Sequence, residues 1–272
     1  MTWFEALVLG IAQGLTEFLP ISSSAHLFIL SQLFGWSDPG AAFTAVTQIG
    51  TEAAVLVYFR RDIARIIRAW TRSLTDSSLR SDLDARMGWY IILGSLPIVI
   101  VGFTFSSYIE TTARNLWLVA IMLIVFGLFL GLADKYGGKT KSLDQLTVTS
   151  AVIFGLGQML ALVPGVSRSG ATITAGLTMG FNRVAATRYA FLLAIPAVLG
   201  SGLYEATKIS DSTSTAWGPT ILATIIAFFV GLAVIAWLLR WLTTRTYTPF
   251  VIYRVILGIG ILVLLGTGVL AS

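Results

Sequence analysis

The sequence predicts an all-α polytopic membrane protein: six transmembrane helices and two re-entrant helix–loop–helix hairpins, arranged as an inverted-topology repeat in one membrane domain. Three observations predict it. Of 272 residues, 56% are hydrophobic and 11% charged, with mean hydropathy +0.85, where a soluble domain carries roughly a quarter charged residues. Apolar stretches near the ~20 residues needed to cross a bilayer recur at 41–59, 88–107, 116–133, 185–205, 218–238 and 250–270. The basic residues gather in alternate connections between those stretches.

In chain order, residues 3–34 come first. They are long enough to cross but are interrupted by Pro20-Ile21-Ser22-Ser23-Ser24. The stretch Trp3–Leu19 carries Glu5, Gln13 and Glu17, with no basic leader and no A-x-A site. It is expected to stay in the membrane and not to be removed as a signal peptide. The span 41–59 leads into the connection 60–87, which holds Arg60, Arg61, Arg65, Arg68, Arg72, Arg80 and Arg86. Lys135, Lys139 and Lys141 lie in a second connection, Arg240 and Arg245 in a third. The positive-inside rule puts all three in the cytoplasm. Then 41–59 runs inward, 88–107 returns and 116–133 comes in again, leaving only Arg114 and Lys208 in the outer connections. The pI near 9.7 is thus a topology signal, and no nucleic-acid partner is expected.

Residues 150–180 are broken by Pro164-Gly165-Val166-Ser167-Arg168-Ser169-Gly170. Irregular polar backbone at membrane depth is tolerated only where protein buries it or a watery cavity solvates it. Both broken segments therefore read as re-entrant hairpins, 1–40 dipping in from outside and 150–184 from the cytoplasm. The chain holds no cysteine, which removes disulfides and thiol catalysis.

The two halves, about 1–134 and 135–272, resemble each other. Gly10 and Gln13 precede Pro20 and a serine cluster, as Gly155 and Gln158 precede Pro164, Ser167 and Ser169. The offset is 145 residues at the glycines and 144 at the prolines, so one gap relates them. Ala41-Ala42 and Ala185-Ala186 then open the next spans. One hairpin plus three spans per half inverts the second copy, the plan that brings two broken elements together near the membrane midplane.

Chemistry-bearing side chains concentrate at the breaks. Gln13 and Glu17, four apart, share a helical face, and Ser23 and His26, three apart at the start of the following half-helix, can face the same way. Pro20 stops the first half-helix, and serines are good N-caps for the second. His26 is the only histidine; a lone histidine among apolar residues is often structural, but ionisable groups at membrane depth are costly and usually functional. Ser22 and Ser24 serve as capping residues or as ligand contacts. In the second hairpin, Arg168 is flanked by Ser167 and Ser169, with Thr172 following. Arginine suits bidentate phosphate contact, and half-helix N-termini present N–H groups to an anion. The pattern describes a diphosphate cradle; an Arg168–Glu17 ion pair is compatible with it.

These residues resemble the undecaprenyl-diphosphatases, also called bacitracin-resistance proteins. That family's hallmark is an (E/Q)-x-x-x-E stretch leading into a serine- and histidine-bearing segment, then a distant P-G-x-S-R-S-G-A-T. Here they read Gln13-Gly-Leu-Thr-Glu17-Phe-Leu-Pro-Ile-Ser-Ser23-Ser-Ala-His26 and Pro164-Gly-Val-Ser167-Arg168-Ser169-Gly-Ala-Thr172. The likeness extends to Gln48-Ile-Gly50 and to Phe250-Val-Ile-Tyr253-Arg254. Three departures stand out: Gln13 where many members carry glutamate, Ser24-Ala25 in place of the common Thr-Gly, and Glu52, which is not carried over from the family. The resemblance implies hydrolysis of undecaprenyl diphosphate to the monophosphate and inorganic phosphate in a bacterial plasma membrane, recycling the carrier lipid for cell-wall synthesis and conferring bacitracin resistance. It also implies a divalent cation.

On chemical grounds Glu17, with Gln13, would hold Mg²⁺ or Ca²⁺. Arg168, Ser22, Ser167, Ser169 and Thr172 would hold the phosphates, and Ser23 or His26 would attack, or His26 would activate Ser23 or water. Phosphatidic-acid-type phosphatases need two histidines, and this chain has one. The rival reading is an inverted-repeat transporter or flippase for a phosphorylated lipid or anion, which would not need Glu17, Ser23 and His26 clustered on one break. The site is expected to open to the outer face, where the histidine-bearing hairpin enters, and a homodimer is an open possibility.

Overall fold

The computed structural model describes residues 1–37, 40–105, 115–209 and 217–270, and gives the backbone alone of 41, 42 and 203–209. Arg114, the Lys208 side chain and residues 106 and 107 of the expected second span lie outside the described residues. All regular structure among the described residues is helical, apart from a single bridge between Lys141 and Phe181.

Helices α1 (Trp3–Phe18) and α2 (Ser23–Leu33) form the first broken element. Thr2 starts α1 in a capping box with Glu5. Helix α3 (Gly40–Tyr58) leads directly into α4 (Arg60–Thr75), so the basic connection is itself structured: an amphipathic helix and a short 3₁₀ turn, Ser77–Ser81. Its arginines are spaced to stay exposed while Ile66 and Ser73 are buried. Asp82 accepts from the N–H groups of Asp84 and Ala85 and so opens α5 (Leu83–Thr104). Asn115 caps α6 (Leu116–Tyr136) in the same way.

The second half opens with α7 (Val148–Met159), a 3₁₀ turn Leu160–Leu162, and α8 (Arg168–Thr178). Helices α9 (Arg183–Ile209), α10 (Trp217–Trp241) and α11 (Thr248–Gly266) follow. Among the described residues, five helices are long and apolar enough to cross a membrane: α5, α6, α9 over Arg183–Gly202, α10 and α11. The expected span 41–59 coincides with α3, a 19-residue helix that carries Gln48 and Glu52.

After the first break helix resumes at Ser23, as expected with Ser22 at the N-cap position; after the second it resumes at Arg168, inside the run Pro164–Gly170 read as the break, because Ser167 takes the N-cap position. Buried side chains from both halves, among them Phe18, Phe59, Phe154, Tyr189, Leu193 and Ile235, form one core. Two helix crossings are too close for a side chain. A Cβ on Gly10 of α1 would meet the Ala223 carbonyl of α10 at 2.7 Å, and one on Gly155 of α7 would run into Gly94 of α5. Large apolar residues such as Phe103, Phe229, Ile256 and Val263 are left on the outside.

Ion pairs gather one end of the bundle. Asp62 bonds Arg65 and Arg188, while Asp134 accepts from Arg183 Nε and from the Tyr247 N–H. The α7–α8 element returns to this end, where Gly180 O accepts from Thr140 and Lys141. The α1–α2 element meets the opposite end: Trp3 lies beside Gly218 at the start of α10, and Ala25 and Ile29 pack with Leu116, Leu265 and Leu270.

Candidate active site

The two breaks share a local geometry at a strict offset of 145 residues. Ser22 has φ +75° and Ser167 φ +72°, conformations unfavourable for a residue with a Cβ by about 1 kcal/mol each. The hydroxyl of each lies 3.3 Å from that of the second serine on, Ser24 and Ser169 respectively. The prolines differ by one position because the residue matching Pro20 is Gly165, which needs its freedom at φ +86° and would clash with Val119 if it bore a Cβ. Strain of this kind persists where surrounding structure holds it, often at functional sites.

What holds both breaks is Arg254. Its guanidinium, fully buried in α11, donates to Pro20 O in the first break and to Gly165 O and Val166 O in the second, each at 3.0 Å. Its Nε donates to Leu123 O at 3.1 Å. Ser169 adds a direct tie, its hydroxyl donating to Leu19 O at 3.1 Å.

The first residue of each half-helix then meets Glu17. Ser23 Oγ donates to Glu17 Oε2 at 2.6 Å, and Arg168 Nη2 donates to Oε1 at 2.7 Å. Gln13 Nε2 donates to Oε2 at 3.0 Å. Residues 151 positions apart thereby form one buried cluster. Arg168 Nη1 is buried and bonded to nothing, a free donor beside the pair.

His26 bonds to Ser22 and Tyr253 and not to Ser23. Its Nδ1 lies 2.7 Å from Ser22 O, and since a carbonyl only accepts, Nδ1 carries the hydrogen. In the neutral ring Nε2 then accepts from the Tyr253 hydroxyl at 2.6 Å, and the two rings stack at 11°. Tyr253 and Arg254 were not foreseen as site residues, although a lone cation inside the apolar run 250–270 is a signal of functional burial. Thr172 is also turned inward, its hydroxyl donating to Arg168 O at 2.7 Å as helical threonines do.

A cavity of about 550 Å³ opens at the cluster. Glu17, Ser22, Ser23, Ser24, Gln48, Ser167 and Arg168 line one part, and Ile98, Val99, Phe103, Leu162, Val163 and Val198 another. Of the residues singled out in the sequence, Gln13, His26, Ser169 and Thr172 support this wall without forming it. Polar head and apolar flank in one cavity suit an anionic amphiphile.

No group of three or more His, Cys, Asp or Glu suited to a metal occurs among the described residues. A hard cation held partly by its own phosphate ligand needs fewer protein oxygens. Gln13 Oε1 and Glu52 Oε1 are buried acceptors without a donor, and Glu17 Oε1 receives one hydrogen bond. These oxygens fit Mg²⁺ or Ca²⁺ in kind.

Residues 6–260 match the model of the family described as bacitracin resistance protein BacA. The chain is 60% identical to the undecaprenyl-diphosphatase of Nocardioides sp. over 99% of both chains. It is 57% identical to that of Renibacterium salmoninarum, covering 100% of this chain and 99% of the relative, and 56% identical to that of Micrococcus luteus over 100% of both.

Proposed function

We propose that this chain, which belongs to the bacitracin resistance protein BacA family, hydrolyses undecaprenyl diphosphate to undecaprenyl phosphate and inorganic phosphate. Its relatives carry that activity in their names. The observation that carries the proposal to this chain is the serine hydroxyl on a buried carboxylate, beside an arginine with a free donor, at the polar end of an otherwise apolar cavity. A protein that only translocated the lipid would have no use for the Ser23–Glu17 contact.

The diphosphate would sit against Arg168, whose unpartnered Nη1 and paired Nη2 present two N–H directions, and against the first-turn N–H groups of α2 and α8. The prenyl chain would lie along Val99, Phe103, Leu162 and Val198. Ser23 Oγ attacks the terminal phosphorus as its proton passes to Glu17 Oε2, 2.6 Å away. The bond from that phosphorus to the bridging oxygen breaks and undecaprenyl phosphate leaves. Water then attacks the phosphorus of the phosphoserine, the bond to Ser23 Oγ breaks as Glu17 returns the proton to that oxygen, and inorganic phosphate leaves. Arg168 and the helix N–H groups hold the equatorial oxygens of the moving phosphoryl group, where such transfers gain most of their rate. His26, tied to Ser22 O, positions the break that presents Ser23. A divalent cation held by Glu17 and Gln13 would neutralise diphosphate charge.

The fold reading belongs to the same proposal: six spans including α3, and two re-entrant elements in an inverted repeat of halves about 1–134 and 135–272. The recurrence of the break geometry at 145 residues and the return of each broken element to its own end of the bundle support it. The cavity is bounded by the final turns of α5 and by the middle of α9 beyond Pro196. Under the charge-derived topology those lie toward the outer face of the plasma membrane, so the lipid would enter from outside. The outward apolar side chains would meet lipid or a second copy of the chain. Lys139→Cys should stay unlabelled by an impermeant thiol reagent in intact cells, and labelling there would overturn the orientation.

The decisive assay is phosphate release from undecaprenyl diphosphate by purified protein in detergent, with and without EDTA. Release that EDTA abolishes and Mg²⁺ or Ca²⁺ restores is the expected result. No release from protein that melts cooperatively would refute the hydrolase.

A further inference from the structure

Glu52 is a carboxylate the mechanism above leaves unused. It lies on α3 four residues after Gln48, which lines the cavity, and so on the same face one turn further along. Its side chain is 1% exposed and its Oε1 has no hydrogen-bond partner. Arg168 and Glu17 are the charges that act on it. A carboxylate oxygen buried without a donor is costly, and such oxygens occur where a cation completes them. Gln13 Oε1 is in the same condition, because its Nε2 is turned toward Glu17.

The position of Gln13 adds a second argument. Its amide offers the cluster an unpartnered oxygen but no charge, which leaves Glu17 the only carboxylate that α1 brings there. Glu52 brings one negative charge to the cluster from the neighbouring helix α3, which packs on α1. Resting on the hydrolase reading, we propose that Glu52 is the second carboxylate of the divalent-cation site, replacing in charge what Gln13 lacks, so that the cation is held by Glu17 and Glu52 with the Gln13 amide oxygen. Ligand charge count is the main determinant of affinity in such oxygen sites.

Mn²⁺ binding to detergent-purified protein without lipid, read by loss of the free-ion EPR signal, tests this apart from turnover. Glu52→Gln should weaken Mn²⁺ binding by about tenfold or more. Glu52→Gln combined with Gln13→Glu should return it toward wild type, since the charge is restored on the other helix. Unchanged Mn²⁺ affinity in a folded Glu52→Gln variant overturns the proposal. Should that variant fail to melt cooperatively, Gln13→Glu alone decides: it should tighten Mn²⁺ binding, and no change sinks the assignment. Phosphate release on the same preparations separates the two readings. Wild type that binds Mn²⁺ but releases no phosphate refutes the hydrolase, whereas release by wild type with Mn²⁺ affinity indifferent to residue 52 refutes only Glu52.

Discussion

The two breaks have the same shape and opposite chemistry. Each enters through a serine at positive φ, sets a second serine 3.3 Å from the first, and offers a carbonyl to Arg254. At the first helical position, however, one copy presents the Ser23 hydroxyl and the other the Arg168 guanidinium, and both converge on Glu17. At an offset of 145, His26 corresponds to Ala171 and Glu17 to Leu162. Alike in shape, the two breaks differ in what they turn toward Glu17: one strained turn presents a hydroxyl, its counterpart a guanidinium. Even the caps differ. Ser167 accepts from the Gly170 N–H, while Ser22 makes no capping bond.

The largest expected effect tests the first copy. Ser23→Ala should lower phosphate release on the order of 10⁴-fold, as loss of a nucleophile does, with melting close to wild type because Ser23 is only half buried. Near-normal turnover would take Ser23 out of the chemistry and leave the first break as a scaffold for water attack. The second copy comes next. Arg168→Ala should cost about 10³-fold, and Arg168→Lys should recover only part of it, since an ammonium cannot hold Glu17 and a phosphate with separate N–H edges. A variant as active as wild type would show the second break to be structural.

Arg254 joins the copies and gives the third test. Arg254→Met should lower stability by about 3 kcal/mol, because the methionine fills the space yet leaves the break carbonyls without donors. Thermal melting in detergent measures it; an unchanged melt would mean the breaks keep their shape on their own.

Much of this was legible in the chain. Pro20 and Pro164 mark the breaks because a run of serines or of glycine and serine follows each at once; Pro97 and Pro196, which lack such a run, stay inside α5 and α9. Glu17 and Arg168 announce themselves as charges at membrane depth. The start of the second half-helix is less legible: Ser167 caps and Arg168 is already helical, inside the run that reads as the break. His26 was expected beside Ser23, on one face at i, i+3. The ring turns instead to the Ser22 carbonyl one helical turn back and to Tyr253, 227 residues away. Contacts of that separation depend on which helices pack together, and no local pattern encodes them. The same holds for Arg254, whose partners in the first break lie 234 residues upstream. Thr172 shows a further limit: a hydroxyl inside a helix has a ready acceptor in the carbonyl one turn back, here Arg168 O, which composition alone cannot exclude.

The finest prediction separates strain from capping. Glycine carries no penalty at positive φ, so Ser22→Gly should stabilise the folded protein by about 1 kcal/mol, since no capping bond is lost with the side chain. Ser167→Gly relieves the same strain but removes the acceptor for the Gly170 N–H, a loss of similar size, and should leave stability nearly unchanged. Paired melts of the two variants measure the difference directly. Equal shifts would mean that the two caps are energetically alike and that the asymmetry resides only in Ser23, Arg168 and their partners. A larger gain at residue 22 would mean that the first copy keeps a strained and uncapped start, with its N–H groups left open to the phosphates, at the expense of stability.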